Sequence, residues 1–144
     1  MISIEKEAEK IMFEDAVKAF PDECCGFMFG NEEGESRTVS KALPVYNSAT
    51  ENRKRRFVIA PKDYMNAEKF ADENNLQFLG IYHSHPNHPA IPSEHDRIAA
   101  QPWFSYVIIS VSPEGVQHTR SWLLNEQFQF EEEQYNTQLI NSIK

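Results

Sequence analysis

Two stretches of the chain carry apolar residues at helical spacing. In residues 4–20 the apolar positions fall three and four apart and define one buried stripe, which Pro21 would end. These positions are Ile4, Ala8, Ile11, Met12, Ala16 and Ala19. In residues 61–74, Pro61 fits the first helical turn, and the inner side consists of Tyr64, Ala67, Phe70 and Ala71. A short third helix, residues 93–100, would open at Ser93.

Short apolar runs bounded by turn-forming residues predict the strands. Residues 25–30 end in a polar turn at 31–35 and would pair as a hairpin with the strand that follows. Further strands are predicted at residues 37–46, 57–59, 76–82, 106–111 and 116–124. Residues 47–56 predict a polar loop, and residues 126–144 have a weak pattern for a terminal strand and helix. Together these elements predict an α/β fold with several hairpins.

Length and composition restrict the class of protein. The 144 residues fit one domain, residues 1–144, whose part after about residue 125 is poorly defined by its pattern. With 14 Lys and Arg against 22 Asp and Glu, the net charge is −8, so no nucleic-acid partner is expected. The chain has no run of 18 apolar residues, and five charges between positions 5 and 10 leave no apolar core for a signal peptide. We therefore expect a soluble, cytoplasmic protein without a membrane partner.

The two cysteines, Cys24 and Cys25, are adjacent in the sequence. Neighbouring cysteines close only a small strained ring, so a stabilising disulfide framework is ruled out. Neither a C-x-x-C redox pair nor a cysteine-based zinc site can be built from them. This usage of cysteine fits a reducing compartment.

Histidines are concentrated in one short segment of the chain. Four of the five histidines lie within residues 83–95, directly after the strand predicted at 76–82. If that strand continues for two or three residues, its alternation places His83 and His85 on the same face. Ser93 and Asp96 are three apart and share a face of the following helix, and three prolines stiffen the loop between.

Two imidazoles and one carboxylate form a donor set that suits Zn²⁺. Three protein ligands leave a fourth tetrahedral position for water, as in catalytic rather than structural zinc sites. Bound zinc lowers the pKa of its water to roughly 7 and polarises a carbonyl oxygen. The segment therefore predicts a hydrolytic centre, which needs in addition a carboxylate that moves protons near the metal.

Simpler interpretations apply to each part of this pattern taken alone. Ser93 and Asp96 also fit an ordinary N-terminal helix cap, and a single His-x-His on a loop is weak evidence of a metal site. A metallo-lactamase motif would need Asp where Asn87 stands, and a (β/α)₈ amidohydrolase needs roughly 200 residues or more. Zinc nucleobase deaminases need a Pro-Cys-x-x-Cys segment that is absent. A cupin jelly roll stays as a minor alternative, although it would not need the two predicted long helices.

The histidine segment resembles the signature of the JAMM or MPN+ (Mov34/MPN/PAD-1) metalloproteases. That signature is His-x-His, seven residues, Ser, two residues and Asp, and it is matched without a gap by His83, His85, Ser93 and Asp96. Small single-domain prokaryotic members also carry a glutamate in a Pro-x-Glu-x-Cys-Gly context, which residues 21–26 resemble. The resemblance covers most of the chain and is weakest after about residue 125.

The resemblance implies a role for each of these residues. His83, His85 and Asp96 would ligate one zinc ion per chain. Glu23 would act as general base and then as general acid, and Ser93 would donate a hydrogen bond to the developing oxyanion. The family fold implies a mixed, curved sheet flanked by helices, similar to the cytidine deaminase architecture.

The family's activity implies hydrolysis of a peptide or isopeptide bond after the C-terminal Gly-Gly of ubiquitin or a ubiquitin-like protein. Because this chain has no obvious long insertion, it is similar to prokaryotic members that process ubiquitin-like sulfur carrier proteins. Two alternatives stay open. One is a non-catalytic binding module of the same fold, which the intact ligand set disfavours, and the other is the cupin-type small-molecule metalloenzyme.

Several residues near the motif are expected to have other roles. Cys25 is interpreted as a buried packing residue. His88 and His95 are not expected to be metal ligands, and His95 is expected on the exposed side of its helix. The basic run at residues 53–56 either attracts an acidic carrier protein or forms a solvated loop.

Overall fold

The computed structural model describes residues 1–138, which form three helices and eight strands. The helices are α1 (Lys6–Ala19), α2 (Pro61–Glu73) and α3 (Glu94–Ala99). The strands are β1 (Ile2–Glu5), β2 (Cys25–Glu33), β3 (Ser36–Val45), β4 (Gln77–Pro86), β5 (Ser105–Ser112), β6 (Gly115–Leu124), β7 (Phe130–Glu133) and β8 (Tyr135–Gln138). Within these residues, no helix combines the length and apolar character needed to cross a membrane.

All eight strands belong to one mixed sheet with the order β7-β6-β5-β4-β2-β3-β1-β8. β4 runs parallel to β5, and β1 runs parallel to both β3 and β8, whereas the other pairs are antiparallel. Only Gln134 separates β7 from β8, which lie at opposite ends of the order, and its carbonyl accepts a 2.9 Å hydrogen bond from the Ile2 N–H. The sheet is therefore strongly curved and nearly closed, which confirms the predicted α/β class with a mixed, curved sheet.

The strand alternation produces two hydrophobic clusters, one on each face of the sheet. In β2, Met28 belongs to the cluster under α1, and its neighbours Phe27 and Phe29 belong to the cluster under α2. β4 continues the pattern, because Tyr82 packs with the α1 cluster and Ile81 with the α2 cluster. From Ile81 onward the odd-numbered residues of β4 consequently face α2, whereas the register shift before Gly80 leaves Leu79 in the α1 cluster, and this parity extends to both histidines at the end of the strand.

Most of the predicted elements are confirmed, including the hairpin of β2 and β3, the loop at 47–56, all three helices and the central strand β5. The cupin alternative is wrong, because α1 and α2 cover a mixed sheet instead of leaving a jelly roll. The weak pattern after residue 126 corresponds to β7 and β8, and the predicted terminal helix would lie in residues 139–144, outside the described residues. The assignment of residues 1–144 to a single domain stays a prediction.

Two predicted elements differ from the structure. The helix begins at Lys6 instead of residue 4, because Ile2 and Ile4 alternate as fully buried positions of β1 between β3 and β8. Residues 57–59 are not a strand. The Val58 carbonyl accepts a 2.8 Å hydrogen bond from the Ser48 N–H, and the Val58 N–H bonds the Asn47 side chain, so this backbone bonds within its own loop.

Both cysteines lie at the start of β2 and are buried and free, as the sequence predicts. The Cys24 N–H donates a 2.8 Å hydrogen bond to the Ser84 hydroxyl, which ties this point to β4. Burial and the nearby Asp15 raise the pKa of the Cys25 thiol to about 12 and raise that of Cys24 well above its usual range. Both side chains are therefore protonated packing groups at neutral pH.

We predict that neither thiol reacts with a disulfide reagent such as DTNB in the native protein at pH 8, because the thiolate is the reacting form and both thiols are buried. Denaturant should release both thiols. The variant Ser36→Cys places a thiol at an exposed position of β3 and should react immediately, which controls for the reagent. Fast labelling of one native cysteine would contradict this assignment.

Candidate metal centre

The end of β4 holds the two histidines of the His-x-His motif. β4 continues to Pro86 because residues 83–86 pair in parallel with residues 108–111 of β5. His83 and His85 therefore lie on the same side of the strand, with ring centroids 5.2 Å apart. Both side chains are buried, His83 at 1% and His85 at 6% exposure.

The start of α3 brings a carboxylate to these imidazoles. Ser93 is the N-cap, and its hydroxyl oxygen accepts a 3.0 Å hydrogen bond from the Asp96 N–H. In return, Asp96 Oδ2 accepts a 2.9 Å bond from the Ser93 N–H, which completes a capping box. The capping interpretation is thus correct, and the same cap orients the Asp96 carboxylate toward β4.

The three side chains converge on one point. Asp96 Oδ2 lies 3.1 Å from His85 Nε2 and 3.9 Å from His83 Nε2, and one ligand atom from each residue lies within 4.8 Å of the others. These separations suit donors that share one small cation, whose bonds to nitrogen and oxygen measure about 2.0–2.2 Å.

The hydrogen bonding of His85 supports a metal ion at this point. His85 Nδ1 lies 2.9 Å from the Pro89 carbonyl oxygen, which can only accept, so this nitrogen carries a proton. In the neutral imidazole, Nε2 then presents a lone pair to the Asp96 carboxylate. A proton or a metal ion must therefore lie between Nε2 and Asp96 Oδ2, which are 3.1 Å apart, and a carbonyl on the other ring nitrogen is the usual outer partner of a metal-bound histidine.

Electrostatics also favour a positively charged occupant. Burial by itself would raise the pKa of Asp96, but His83, His85 and the Ser93 N–H together hold it well below its usual range. Burial opposes protonation of His83, whereas Asp96 and Glu23 raise its pKa. Asp96 is thus ionised in a buried site, and buried charge is stable only when it is paired.

Glu23 lies beside the cluster, in the connection between α1 and β2, and its side chain is 4% exposed. Its Oε1 is 3.7 Å from His83 Nδ1, and among the described residues neither atom has a hydrogen-bond partner. The backbone of Glu23 is fixed by the loop at 47–56, since its N–H donates to the Arg53 carbonyl at 2.8 Å and its carbonyl accepts from Asn47 Nδ2 at 3.1 Å. A buried carboxylate oxygen without a partner is available to bind water or a substrate amine.

Two cavities open on the cluster from different sides. One, of about 240 Å³, is lined by His83 and Asp96 together with apolar side chains. These include Phe57, Ile59, Tyr64, Ile81, Tyr106 and Ile108. The other, of about 340 Å³, is lined by Glu23, Arg55, His85, His88 and Ser93, with Pro89 and Ile91.

The remaining histidines of the segment lie outside the ligand cluster. His88 lines the cavity of about 340 Å³ together with Glu23 and His85. The prediction that His95 is exposed is wrong. His95 is half-buried and, like Asp96, lines the cavity of about 240 Å³. α3 is only six residues long, and its position against the cavity depends on tertiary contacts, so the side of the helix that is buried could not be read from its own sequence.

Sequence reasoning missed the residues that support the ligands. Phe57 stacks on His83, with ring centroids 4.5 Å apart and an interplanar angle of 29°. The loop after β4 is tied to β6 through Ala90, whose N–H donates to His118 Nε2 at 3.0 Å and whose carbonyl accepts from Trp122 Nε1 at 3.0 Å. These contacts join residues about 30 positions apart and leave no signal in local spacing.

Arg53 differs in its environment from the other three residues of the basic run at 53–56. Arg53 is half-buried, and its guanidinium donates to the carbonyls of Asn47 and Ala49, which folds the loop that fixes Glu23. The other three cations are exposed. The interpretation of this segment as a solvated loop therefore holds for part of the run only.

Comparisons with known proteins agree with this geometry. The sequence model of the family described as prokaryotic homologs of the JAB domain matches residues 5–125. A desampylase of Haloferax volcanii is 33% identical over 106 residues, which are 74% of this chain and 73% of that protein. The solution structure of a protein from Desulfitobacterium hafniense has a TM-score of 0.84 at 31% identity and covers 96% of this chain and 93% of its own.

The fold has a more distant counterpart in the crystal structure of a JAB1/MPN domain protein from Archaeoglobus fulgidus. That structure has a TM-score of 0.59 at 18% identity and covers 94% of this chain and 97% of its own, so it supports the fold alone. The family match extends over most of the chain and includes the whole histidine segment. This protein is a member of the prokaryotic JAB-domain family and an enzyme of the JAMM type.

Proposed function

We propose that this protein is a zinc-dependent peptidase or isopeptidase that hydrolyses the bond after the C-terminal Gly-Gly of a ubiquitin-like protein, with a sulfur carrier protein as its substrate. The proposal rests on the buried cluster of His83, His85 and Asp96, with the Glu23 carboxylate beside it, whose Oε1 has no hydrogen-bond partner within residues 1–138. Three protein ligands leave one position for water or substrate, which is typical of catalytic zinc sites.

The residues of the site divide the chemistry among them. His83, His85 and Asp96 would hold the ion, which when bound lowers the pKa of water to roughly 7 and polarises a substrate carbonyl. Glu23 takes a proton from the attacking water and delivers it to the amine nitrogen as the carbon–nitrogen bond breaks. The Ser93 hydroxyl accepts from the Asp96 N–H and keeps its own hydrogen to donate to the oxyanion.

Family membership and the shape of the site support the substrate class. The similarity to a desampylase fits the same class of reaction. An extended tail that ends in two glycines brings its carbonyl close to buried ligands, because no Cβ blocks the approach. A cytoplasmic location stays a prediction.

The first prediction concerns the metal. Purified protein should bind about one zinc ion per chain, and His85→Ala should weaken zinc affinity by more than about 100-fold, since loss of an outer hydrogen-bond partner alone costs 10–100-fold. Metal content by mass spectrometry and titration against a chelator test this. His88→Ala is the matched control, because His88 lies in the same loop outside the cluster, and it should bind zinc like the wild type. Equal affinity in both variants would exclude this ligand set.

The second prediction separates proton transfer from metal binding. Glu23→Gln should keep its zinc and lose about 10²–10⁴-fold in turnover, because the amide cannot accept the proton of water. The assay follows release of a peptide joined to the Gly-Gly terminus of a ubiquitin-like protein, by gel and mass spectrometry. Asp22→Asn removes the neighbouring carboxylate and should leave turnover unchanged. If zinc-loaded wild-type protein binds the substrate yet never cuts it, the chain is a binding module instead.

The third prediction separates the two roles of Ser93. Ser93→Gly removes the hydroxyl but costs only a few tenths of a kcal/mol as an N-cap, because glycine is tolerated there. Turnover should nevertheless fall by about 10²–10³-fold through loss of the oxyanion donor. Ser93→Thr keeps a hydroxyl and should retain most activity. Thermal unfolding and kcat are measured on both variants. Parallel losses of stability and activity would show that Ser93 acts only as the N-cap of α3.

A further inference from the structure

The two faces of β4 hold different parts of the site. From Ile81 onward the odd-numbered side chains, which include both histidines, lie on the α2 face, and the even-numbered side chains lie on the α1 face. Ser84 is the middle residue of the His-x-His motif, so its hydroxyl is on the side opposite to the metal cluster. It is fully buried there, and a buried hydroxyl is costly unless it is hydrogen-bonded.

The Ser84 hydroxyl binds the backbone directly after Glu23. β2 pairs with β4 from Cys25, which lies opposite His83, so Cys24 would continue this ladder opposite Ser84. In a hydrogen-bonded antiparallel pair, two opposed residues exchange two backbone bonds. The Ser84 N–H makes the first of these, to the Cys24 carbonyl at 3.2 Å, but the Cys24 N–H donates instead to the Ser84 hydroxyl at 2.8 Å. The side chain of Ser84 thus extends the pairing of β2 with β4 by one residue.

This extra residue of pairing determines the direction of the Glu23 side chain. Side chains alternate between the two faces of a paired strand. Cys25 packs with the α2 cluster and Cys24 with the α1 cluster, so the next side chain, Glu23, returns to the α2 face. Its Oε1 there lies 3.7 Å from His83 Nδ1. Without the hydroxyl, a single backbone bond to β4 would hold residue 24 in this alternation.

A second hydroxyl on the same face of β4 holds the chain before Glu23. The Tyr82 hydroxyl donates a 2.7 Å hydrogen bond to Asp15 Oδ2, in the second half of α1. The Tyr82 ring lies across Gly26 of β2, where a Cβ would be 2.2 Å from the ring, so the glycine leaves room for it. The segment that carries Glu23 is therefore attached to β4 on both of its sides.

We propose that Ser84 is a positioning residue for proton transfer, because its hydroxyl fixes the backbone at Cys24 and so holds the Glu23 carboxylate at the metal cluster. The inference rests on the proposed function, in which Glu23 accepts and delivers the proton. The histidines do not need this hydroxyl, since residues 83–86 are held by the parallel ladder to β5. Loss of the hydroxyl should displace a base that must lie within hydrogen-bond distance of its water.

Turnover of zinc-loaded protein on a peptide joined to the Gly-Gly terminus of a ubiquitin-like protein tests this role. Ser84→Ala should lower kcat about 10–100-fold and leave KM within about twofold of the wild type, because substrate contacts are unchanged. Ser84→Thr keeps a hydroxyl and should restore most of the turnover. Ser121→Ala is the matched control, since it removes a buried hydroxyl of β6 that donates to Glu133 Oε2 at 2.8 Å, and its kcat should equal that of the wild type.

Three measurements separate positioning of the base from general support of the fold. In the Glu23→Gln background, Ser84→Ala should cost less than about twofold in kcat, because both substitutions act through the same carboxylate. The zinc affinity of Ser84→Ala should equal that of the wild type, since the ligands keep their ladder to β5. In the zinc-free protein, the Cys24 amide should exchange its hydrogen about 10-fold faster in Ser84→Ala, relative to the amides of β5.

Each outcome decides the proposal. A loss of kcat that requires Glu23, with zinc affinity retained and the Cys24 amide exposed, supports it. An unchanged kcat in Ser84→Ala, an equal loss in both backgrounds, a matching loss of zinc affinity or a Cys24 amide that stays protected would overturn it and leave the proposed function intact. If Ser84→Ala does not fold, Ser84→Cys replaces it under the same criteria, because its sulfur is a weak acceptor.

The wild type distinguishes failure of this inference from failure of the proposed function. If zinc-loaded wild-type protein does not cut the Gly-Gly substrate at all, the proposed function is overturned, and the role of Ser84 in proton transfer with it.

Discussion

The approach of three lone-pair donors in a buried site is the interaction on which the function depends. The Nε2 atoms of His83 and His85 and a carboxylate oxygen of Asp96 converge on one buried point. In a low-dielectric interior the Asp96 carboxylate needs a positive partner, which a cation shared by all three side chains would supply. The family membership and the chemistry proposed for Glu23 and Ser93 agree with this single requirement.

The rest of the fold serves to maintain that convergence. The parallel pairing of β4 with β5 keeps β4 extended to Pro86, so that alternation places both imidazoles on the α2 face. The Ser93 cap directs the carboxylate, and the hydrogen bonds of Ala90 to β6 fix the loop between strand and helix. A curved sheet, with β4 and β5 inside it, makes these neighbours rigid, as a metal site requires.

The loop at 47–56 and Phe57, which directly follows it, support the metal cluster from outside the sheet. The Arg53 carbonyl in this loop accepts a hydrogen bond from the Glu23 N–H and so positions the Glu23 backbone. Phe57, the residue after the loop, stacks on the His83 ring. Arg55, also in this loop, places a positive charge at the cavity that Glu23 and His85 line. One segment without regular structure thus holds Glu23 and Phe57 beside the cluster, which is common for loops held on a rigid sheet.

The sequence by itself indicated most of the elements and the three residues that the structure brings together as a candidate metal cluster, because their signals are local. Helical spacing defines α1 and α2, and the interval from His83 to Asp96 follows from one strand end and one helix start. Only the tertiary structure decided that Ile2 and Ile4 form a strand and that 57–59 does not, since both depend on distant backbone partners. It also decided that Glu23 lies 3.7 Å from His83, because 60 residues and a sheet register separate them in the chain.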